Sequence, residues 1–219
     1  MSTQKKYPVD CPHCGHTHEE LIAISINAAR SPHLRQALLE QTLHRFLCSH
    51  CHRHYTVDVE MNWIDFERLH WLRVFPLIEQ SNWEKLIYQS TDTYQRYLVA
   101  DSAPSVARAL GEGMRVRSVF GLGALREKIV AWNAGLDDRM LVLCQWTLFL
   151  EQASTDQLSM PRLLDCSDNT MRFISEDAKW LWERPLDFYY EIENECRNST
   201  KFRELLSEPW VDPMRLFYQ

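Results

Sequence analysis

Two short stretches decide how this chain is read: "VDCPHCGHTHEEL" at residues 9–21 and "FLCSHCHRHYTV" at residues 46–57. Each holds a Cys-x-x-C pair, Cys11 with Cys14 and Cys48 with Cys51, and 33 residues separate the pairs. A Cys-x-x-C turn presents two thiolates on one tight knuckle, and two knuckles together complete the tetrahedral shell that zinc takes. The spacer is longer than the roughly 15–20 residues usual between such pairs. Closing a longer loop costs little extra, because the entropy grows only logarithmically with length. A redox pair would need its Cys-x-x-C to open a helix after a buried strand. "GHTHEE" and "HRHYTVDVE" do not open helices. Cys11, Cys14, Cys48 and Cys51 are therefore expected to ligate one Zn2+. Four thiolates fill the shell and leave no position for a water, so the zinc is expected to be structural and not hydrolytic.

All nine histidines lie within the first 70 residues, and His13, His16, His50, His52 and His54 flank the two pairs. They read as solvated turn residues beside a full shell. Of the other cysteines, Cys144 sits in the apolar run "RMLVLCQWTLFL" and reads as core. Cys166 and Cys196 are isolated and carry no assigned role.

Working outward, "EELIAISIN" alternates like a strand, and "SPHLRQALLEQTLHRF" has Ser31 at an N-cap position, Pro32 after it and leucines at helical spacing. "RHYTVDVEMNWIDF" leaves the second knuckle as a strand. These predict an N-terminal zinc-ribbon-like module over 1–76, with a strand and a helix inserted between its knuckles and Pro76 at its end. Residues 77–219 are expected to form a mainly helical, acidic region packed against it. There, "SNWEKLIYQSTDTYQRYL" carries a capping-box pattern in Ser81 and Glu84. "APSVARALGEG" reads as a short helix and "MRVRSVFG" as a strand. "LGALREKIVAWNAG" and "LDDRMLVLCQWTLFLEQ" read as helices, the latter apolar round most of its circumference. "PRLLDCSDNTMRFISED" is a short β hairpin about "SDNT". Pro185 breaks the segment after it, and "NST" starts a last helix. The fold class is α+β.

The sequence of 219 residues has a net charge of −6, unevenly placed. Residues 1–60 carry 6 acidic and 6 basic side chains, residues 61–133 carry 8 and 9, and residues 134–219 carry 16 and 9. Nucleic-acid affinity comes mainly from basic groups meeting phosphates, so nucleic acid is not an expected partner. An acidic surface suits a basic protein partner instead. The N-terminus has no apolar leader, and the longest apolar runs are about half a membrane span. A cytoplasmic, non-membrane protein with reduced thiols is expected.

The first 75 residues resemble the CpXC domain of bacterial and archaeal proteins. The resemblance rests on "CPHC" at 11–14, "SIN" at 25–27, "SPHLRQALLEQTLHRFLC" at 31–48 and "MNWIDFERLHWLRVFP" at 61–76. It continues in "RVRSVFGLGALREKIVAWNAGLDDRMLVL" at 115–143 and "EPWVDPMRLF" at 208–217. It implies a structural zinc fold of bacterial origin and no particular activity. One departure is Ser49 in the second knuckle, where the first has Pro12.

Catalytic signatures are lacking. Asp65, Glu67 and His70 are close in sequence, but two carboxylates that share acid–base work must reach one pocket, and these diverge on either a strand or a helix. They read as a surface strand end. Asp137 and Asp138 read as charges at a helix start. "GLGAL" lacks the lysine and hydroxyl of a phosphate loop, and hydrolase, metalloprotease and kinase motifs do not occur. The chain is expected to be non-enzymatic and to bind another protein, one form being an immunity protein that neutralises a basic toxin. The alternative is a regulatory zinc-ribbon protein linked to nucleic acid or transcription.

Overall fold

The computed structural model describes residues 2–152, 159–175, 178–196 and 209–217. The chain divides into two compact units, Met1–Leu122 and Gly123–Gln219. The division lies well past Pro76, because strand β7 (Arg115–Phe120) returns to pair with β6 (His70–Phe75) and binds the intervening segment into the first unit.

The first unit is built on a five-stranded sheet of order β1-β2-β5-β6-β7. β1 (Thr3–Asp10) and β2 (Thr17–Asn27) form an antiparallel hairpin whose turn is the first knuckle. β2 then runs parallel to β5 (Met61–Asp65), with Ser25 opposite Asn62 and Asn27 opposite Ile64. β5 and β6 are antiparallel, and β6 and β7 are parallel from His70–Arg115 to Phe75–Phe120. Strands paired in parallel are usually covered on both faces and read as continuous apolar runs. "HWLRVF" is such a run, buried at every position but Arg73. Met61, Trp63, Leu72, Val74 and Val119 have no exposed surface at all.

Helix α1 (Pro32–Leu39) sits between β2 and the second knuckle and buries Leu34 and Leu38. It is shorter than its leucine spacing predicts. Gln41 and His44 take left-handed backbone (φ 58° and 55°), and Thr42 and Leu43 both donate to the Ala37 carbonyl, which closes the helix. Ser31 precedes the helix but makes no side-chain cap; its hydroxyl lies 2.6 Å from that of Ser2. β3 (Arg45–Leu47) and β4 (His54–Thr56) form a second, two-stranded antiparallel sheet around the second knuckle. The stretch expected as one strand after that knuckle is thus two, β4 and β5.

Between β6 and β7 the chain makes a 3₁₀ turn (Leu77–Asn82), helix α2 (Trp83–Tyr94), a π-helical turn (Gln95–Val99) and helix α3 (Ser105–Gly111). The Ser81–Glu84 capping box does not form, because the 3₁₀ turn moves the helix start to Trp83. A side chain at Gly111 would place its Cβ 2.5 Å from the Leu98 carbonyl oxygen, so glycine is required there by packing. The Tyr94 hydroxyl donates to the Gly111 carbonyl at 2.6 Å and pins the same approach.

The second unit holds most of α4 (Gly121–Asn133), together with α5 (Asp138–Glu151), α6 (Leu186–Cys196) and a three-stranded sheet of order β10-β9-β8. β8 (Arg162–Ser167) and β9 (Thr170–Ile174) are the expected hairpin. Asp168 and Asn169 both have positive φ, as a two-residue hairpin turn of type I′ requires. β10 (Leu181–Pro185) adds a third strand that the sequence reading missed, ending at Pro185. The core gathers Leu141, Cys144 and Leu148 of α5 against Leu163, Met171, Phe173 and Tyr189. The helix expected from "NST" lies outside the described residues. The fold is α+β: six α-helices and three sheets among the described residues. None of the described helices is long and apolar enough to cross a membrane.

Candidate metal centre

The two knuckles share one backbone construction. In the first, the Cys11 N–H donates to the His16 carbonyl at 2.9 Å and the Gly15 N–H donates back to the Cys11 carbonyl at 2.8 Å. In the second, Cys48 donates to Arg53 at 3.0 Å and His52 donates to Cys48 at 2.9 Å. The residue after each second cysteine is left-handed, Gly15 at φ 71° and His52 at φ 57°. Each knuckle tips an antiparallel hairpin, β1–β2 and β3–β4.

Hydrogen bonds from β2 and the first knuckle join the second hairpin to the first. Tyr55 donates its hydroxyl to Glu20 at 2.9 Å, and the Ala23 N–H donates to Nε2 of buried His44 at 3.0 Å. His13 Nε2 donates to the His54 carbonyl at 3.1 Å. Burial holds His44 down to about 4 and keeps the imidazole neutral, as an acceptor must be.

These contacts bring Cys11, Cys14, Cys48 and Cys51 together, every sulfur within 4.8 Å of the others. All four cysteines are free of disulfides. Cys11 Sγ lies 3.7 Å from Cys51 Sγ, and Cys14 Sγ lies 3.6 Å from Cys48 Sγ. A tetrahedron with zinc–sulfur distances of about 2.3 Å has edges of about 3.8 Å. Two of the separations match such an edge, and the others reach at most 4.8 Å. Cys11 and Cys48 are buried, Cys51 is partly buried, and Cys14 faces solvent.

As bare thiols, Cys14, Cys48 and Cys51 are shifted unequally. Burial opposes ionisation of Cys48, but the backbone of Cys51 and His50 and the His18 ring outweigh it and draw Cys48 down to about 5. The His16 backbone favours a Cys14 thiolate, yet desolvation and the neighbouring thiols overrule it and push Cys14 up to about 12. Cys51 is raised as well. A cation among these sulfurs would favour the thiolate form.

The flanking histidines are placed around the sulfurs. His16 and His50 are exposed and stack with ring centres 5.1 Å apart. His18, which the sequence reading passed over, lies closer: its Nε2 is 3.2 Å from Cys48 Sγ. No spacing rule could have found it, since it reaches Cys48 from the opposite hairpin.

Asp65 is buried, not at the surface; its Oδ1 accepts from the N–H groups of Glu67 and Arg68, both at 3.2 Å, and closes the β5–β6 turn. His70 is buried opposite it, and Glu67 is exposed. Asp137 caps α5 by accepting from the Arg139 N–H at 2.9 Å. Asp138 is buried instead, 3.2 Å from Lys128 Nζ. Cys144 is fully buried in the core, and that burial pushes its thiol up to about 12.

A buried polar cluster in the second unit left no sequence signature. Glu127 Oε2 accepts from Gln145 Nε2 at 2.6 Å and from the Leu163 N–H at 2.9 Å, and Arg162 links Glu127 (3.5 Å) to Asp212 (2.8 Å). Burial raises the Glu127 carboxyl, against the pull of Arg162 and Lys128. A cavity of about 400 Å³ in the first unit, lined by Leu98, Val99, Ser105, Arg108, Ala109, Gly111 and Glu112, brings no histidine or cysteine together.

No protein of curated function and no solved structure matches this sequence. The family model described as "CpXC protein" matches residues 9–145, which span both knuckles, four strands of the five-stranded sheet (β2, β5, β6 and β7) and the first turns of α5. With four sulfurs gathered inside that span and more than half of the sequence matched, the chain belongs to the CpXC family.

Proposed function

We propose that this is a zinc-stabilised, non-catalytic binding protein. The observation that carries this reading is the closed four-sulfur cluster. Its donors are all thiols, two pairs of them at tetrahedral separations and all within 4.8 Å of one another, a soft set that suits zinc. Four thiolates occupy every position of a tetrahedral ion and leave none for substrate or water. The two hairpins, each tipped by a knuckle, support a zinc-ribbon-like description of the N-terminal module.

The acidic surplus of residues 134–219 supports a basic protein as partner, one form being a toxin neutralised by this chain. Equal numbers of acidic and basic groups in residues 1–60 speak against a nucleic-acid role for the knuckles.

Elemental analysis of the purified chain is expected to give about one equivalent of zinc, with the four knuckle thiols protected from alkylation. Less than about half an equivalent, with all four alkylating freely, would sink the metal assignment. Cys48→Ser is expected to lose the metal and lower the melting temperature, because metal binding in such modules is coupled to folding. An unchanged melting temperature would show that the coupling is absent. For the partner, the native chain should retain a basic protein from its own cell extract in a salt-sensitive way; salt-insensitive retention would remove the charge argument.

A further inference from the structure

We propose that His18, held in one tautomer by Ser49, is a hydrogen-bond donor to the Cys48 thiolate of the metal-loaded centre. The inference rests on the metal assignment above and assigns a positioning role to two residues outside the ligand set.

His18 lies near the start of β2 and is half-buried, with its ring edge-on to His16 at 4.8 Å and facing Tyr55 at 6.5 Å. Its Nε2 is 3.2 Å from Cys48 Sγ, and its Nδ1 is 3.4 Å from Ser49 Oγ. A metal-bound thiolate has no proton and can only accept. Nε2 therefore carries the hydrogen, and in a neutral imidazole Nδ1 is then the acceptor. The Ser49 hydroxyl is placed to donate to that nitrogen. Donation runs from Ser49 to His18 to Cys48.

This gives a physical reading to the one departure noted between the knuckles. The first has Pro12 at the position of Ser49, and a proline has neither a hydroxyl nor an N–H to offer. The donor is therefore available on the second knuckle alone. Cys48 also lies 3.4 Å from the Cys51 N–H and has no exposed surface. Four thiolates around a dication leave a net charge of −2, and each N–H draws part of it away from the sulfur. The ligands become unequal: Cys48 is held deepest, and Cys14, the exposed member of the cluster, is where loss of the metal begins.

Cobalt(II) loaded in place of zinc into the 219-residue chain reports on the sulfurs through its thiolate charge-transfer bands. His18→Leu is expected to move that band to lower energy and to weaken cobalt and zinc binding about 10-fold or more. His18→Gln, whose amide N–H can reach the same sulfur, should recover part of both. Ser49→Ala should move both in the same direction by less. A His18→Leu protein of native circular dichroism with wild-type spectrum and affinity overturns the proposal. So does a Gln variant as weak as Leu, since ring packing and not donation would then be at work. If His18→Leu does not fold, Ser49→Ala decides, its hydroxyl being exposed; an unmoved spectrum overturns the proposal. A wild-type chain that gives no four-thiolate cobalt spectrum defeats the metal assignment itself, a result distinct from a normal spectrum that the variants leave unmoved.

Discussion

Gly15 and His52 occupy equivalent places in the two knuckles, and both are left-handed. Only one of them is a glycine. An L-residue in this region costs about 1–2 kcal/mol, which glycine avoids at some entropic expense. Nothing lies within 4 Å of a Cβ built on Gly15, so its backbone angle alone defines the constraint. Gly15→Ala is expected to destabilise by about 1 kcal/mol. His52 is exposed, and His52→Gly should stabilise by about 0.5–1 kcal/mol. Thermal melts of the two variants check both signs; a destabilised His52→Gly would show that the imidazole does more than fill a turn. The four clustered cysteines were legible at this scale because Cys-x-x-C is a local pattern. His18 was not, because its partner sulfur is 30 residues away.

At the scale of elements, α4 and α5 were legible from their apolar spacing, from Gly135 past the end of the first and from Asp137 at the start of the second. The structure gives them a bond that neither helix announces. Lys128 on α4 and Asp138 on α5 are 0% and 2% exposed and 3.2 Å apart. Removing one charge of a buried pair strands the other, at about 3–5 kcal/mol. Lys128→Met should therefore cost that much in urea denaturation, and adding Asp138→Asn should recover most of it. Loss without recovery in the double variant would mean that the lysine stem, not the ion pair, is what counts. Strands fared less well. β1, rich in lysine and exposed along its length, has no apolar alternation to betray it. β10 shows alternate half-buried positions only once β9 stands beside it.

At the scale of the molecule, a metal at the four sulfurs and the pH would act on the same unit through different groups. Removing the metal should loosen the hairpins that the sulfurs join, while β5, β6 and β7 keep their own ladder. Hydrogen exchange after chelation is expected to rise over 45–56 and around 9–18 and to change least over 61–75 and 115–120. Uniform loss of protection across the sheet would instead make the metal a determinant of the whole unit. His44 and His70 are both held down to about 4 by burial; around His70, Asp65 opposes the shift, and Arg115, Arg68 and Arg35 add to it. Each is neutral in the folded chain and takes its proton at about 6.5 when unfolded. Their contribution is therefore complete above pH 6.5 and is lost as the pH falls towards 4, with a slope approaching about 1.4 kcal/mol per pH unit for each ring. With metal content followed in parallel, His70→Asn should show a shallower loss of stability over this range; an unchanged slope would assign the acid sensitivity elsewhere.

The sequence by itself determined the two Cys-x-x-C pairs, the α+β class, the hairpin at Asp168–Asn169 and the cores of the two central helices. Each is written in local spacing: a knuckle of four residues, a helical period, a two-residue turn. Tertiary structure alone decided that β2 runs parallel to β5, that β7 returns to β6 across some forty residues, and that Glu127, Arg162 and Asp212 meet. It also decided which imidazole touches a ligand sulfur. Those outcomes depend on which distant surfaces bury each other, and burial is a property of the folded chain that no short window of residues carries.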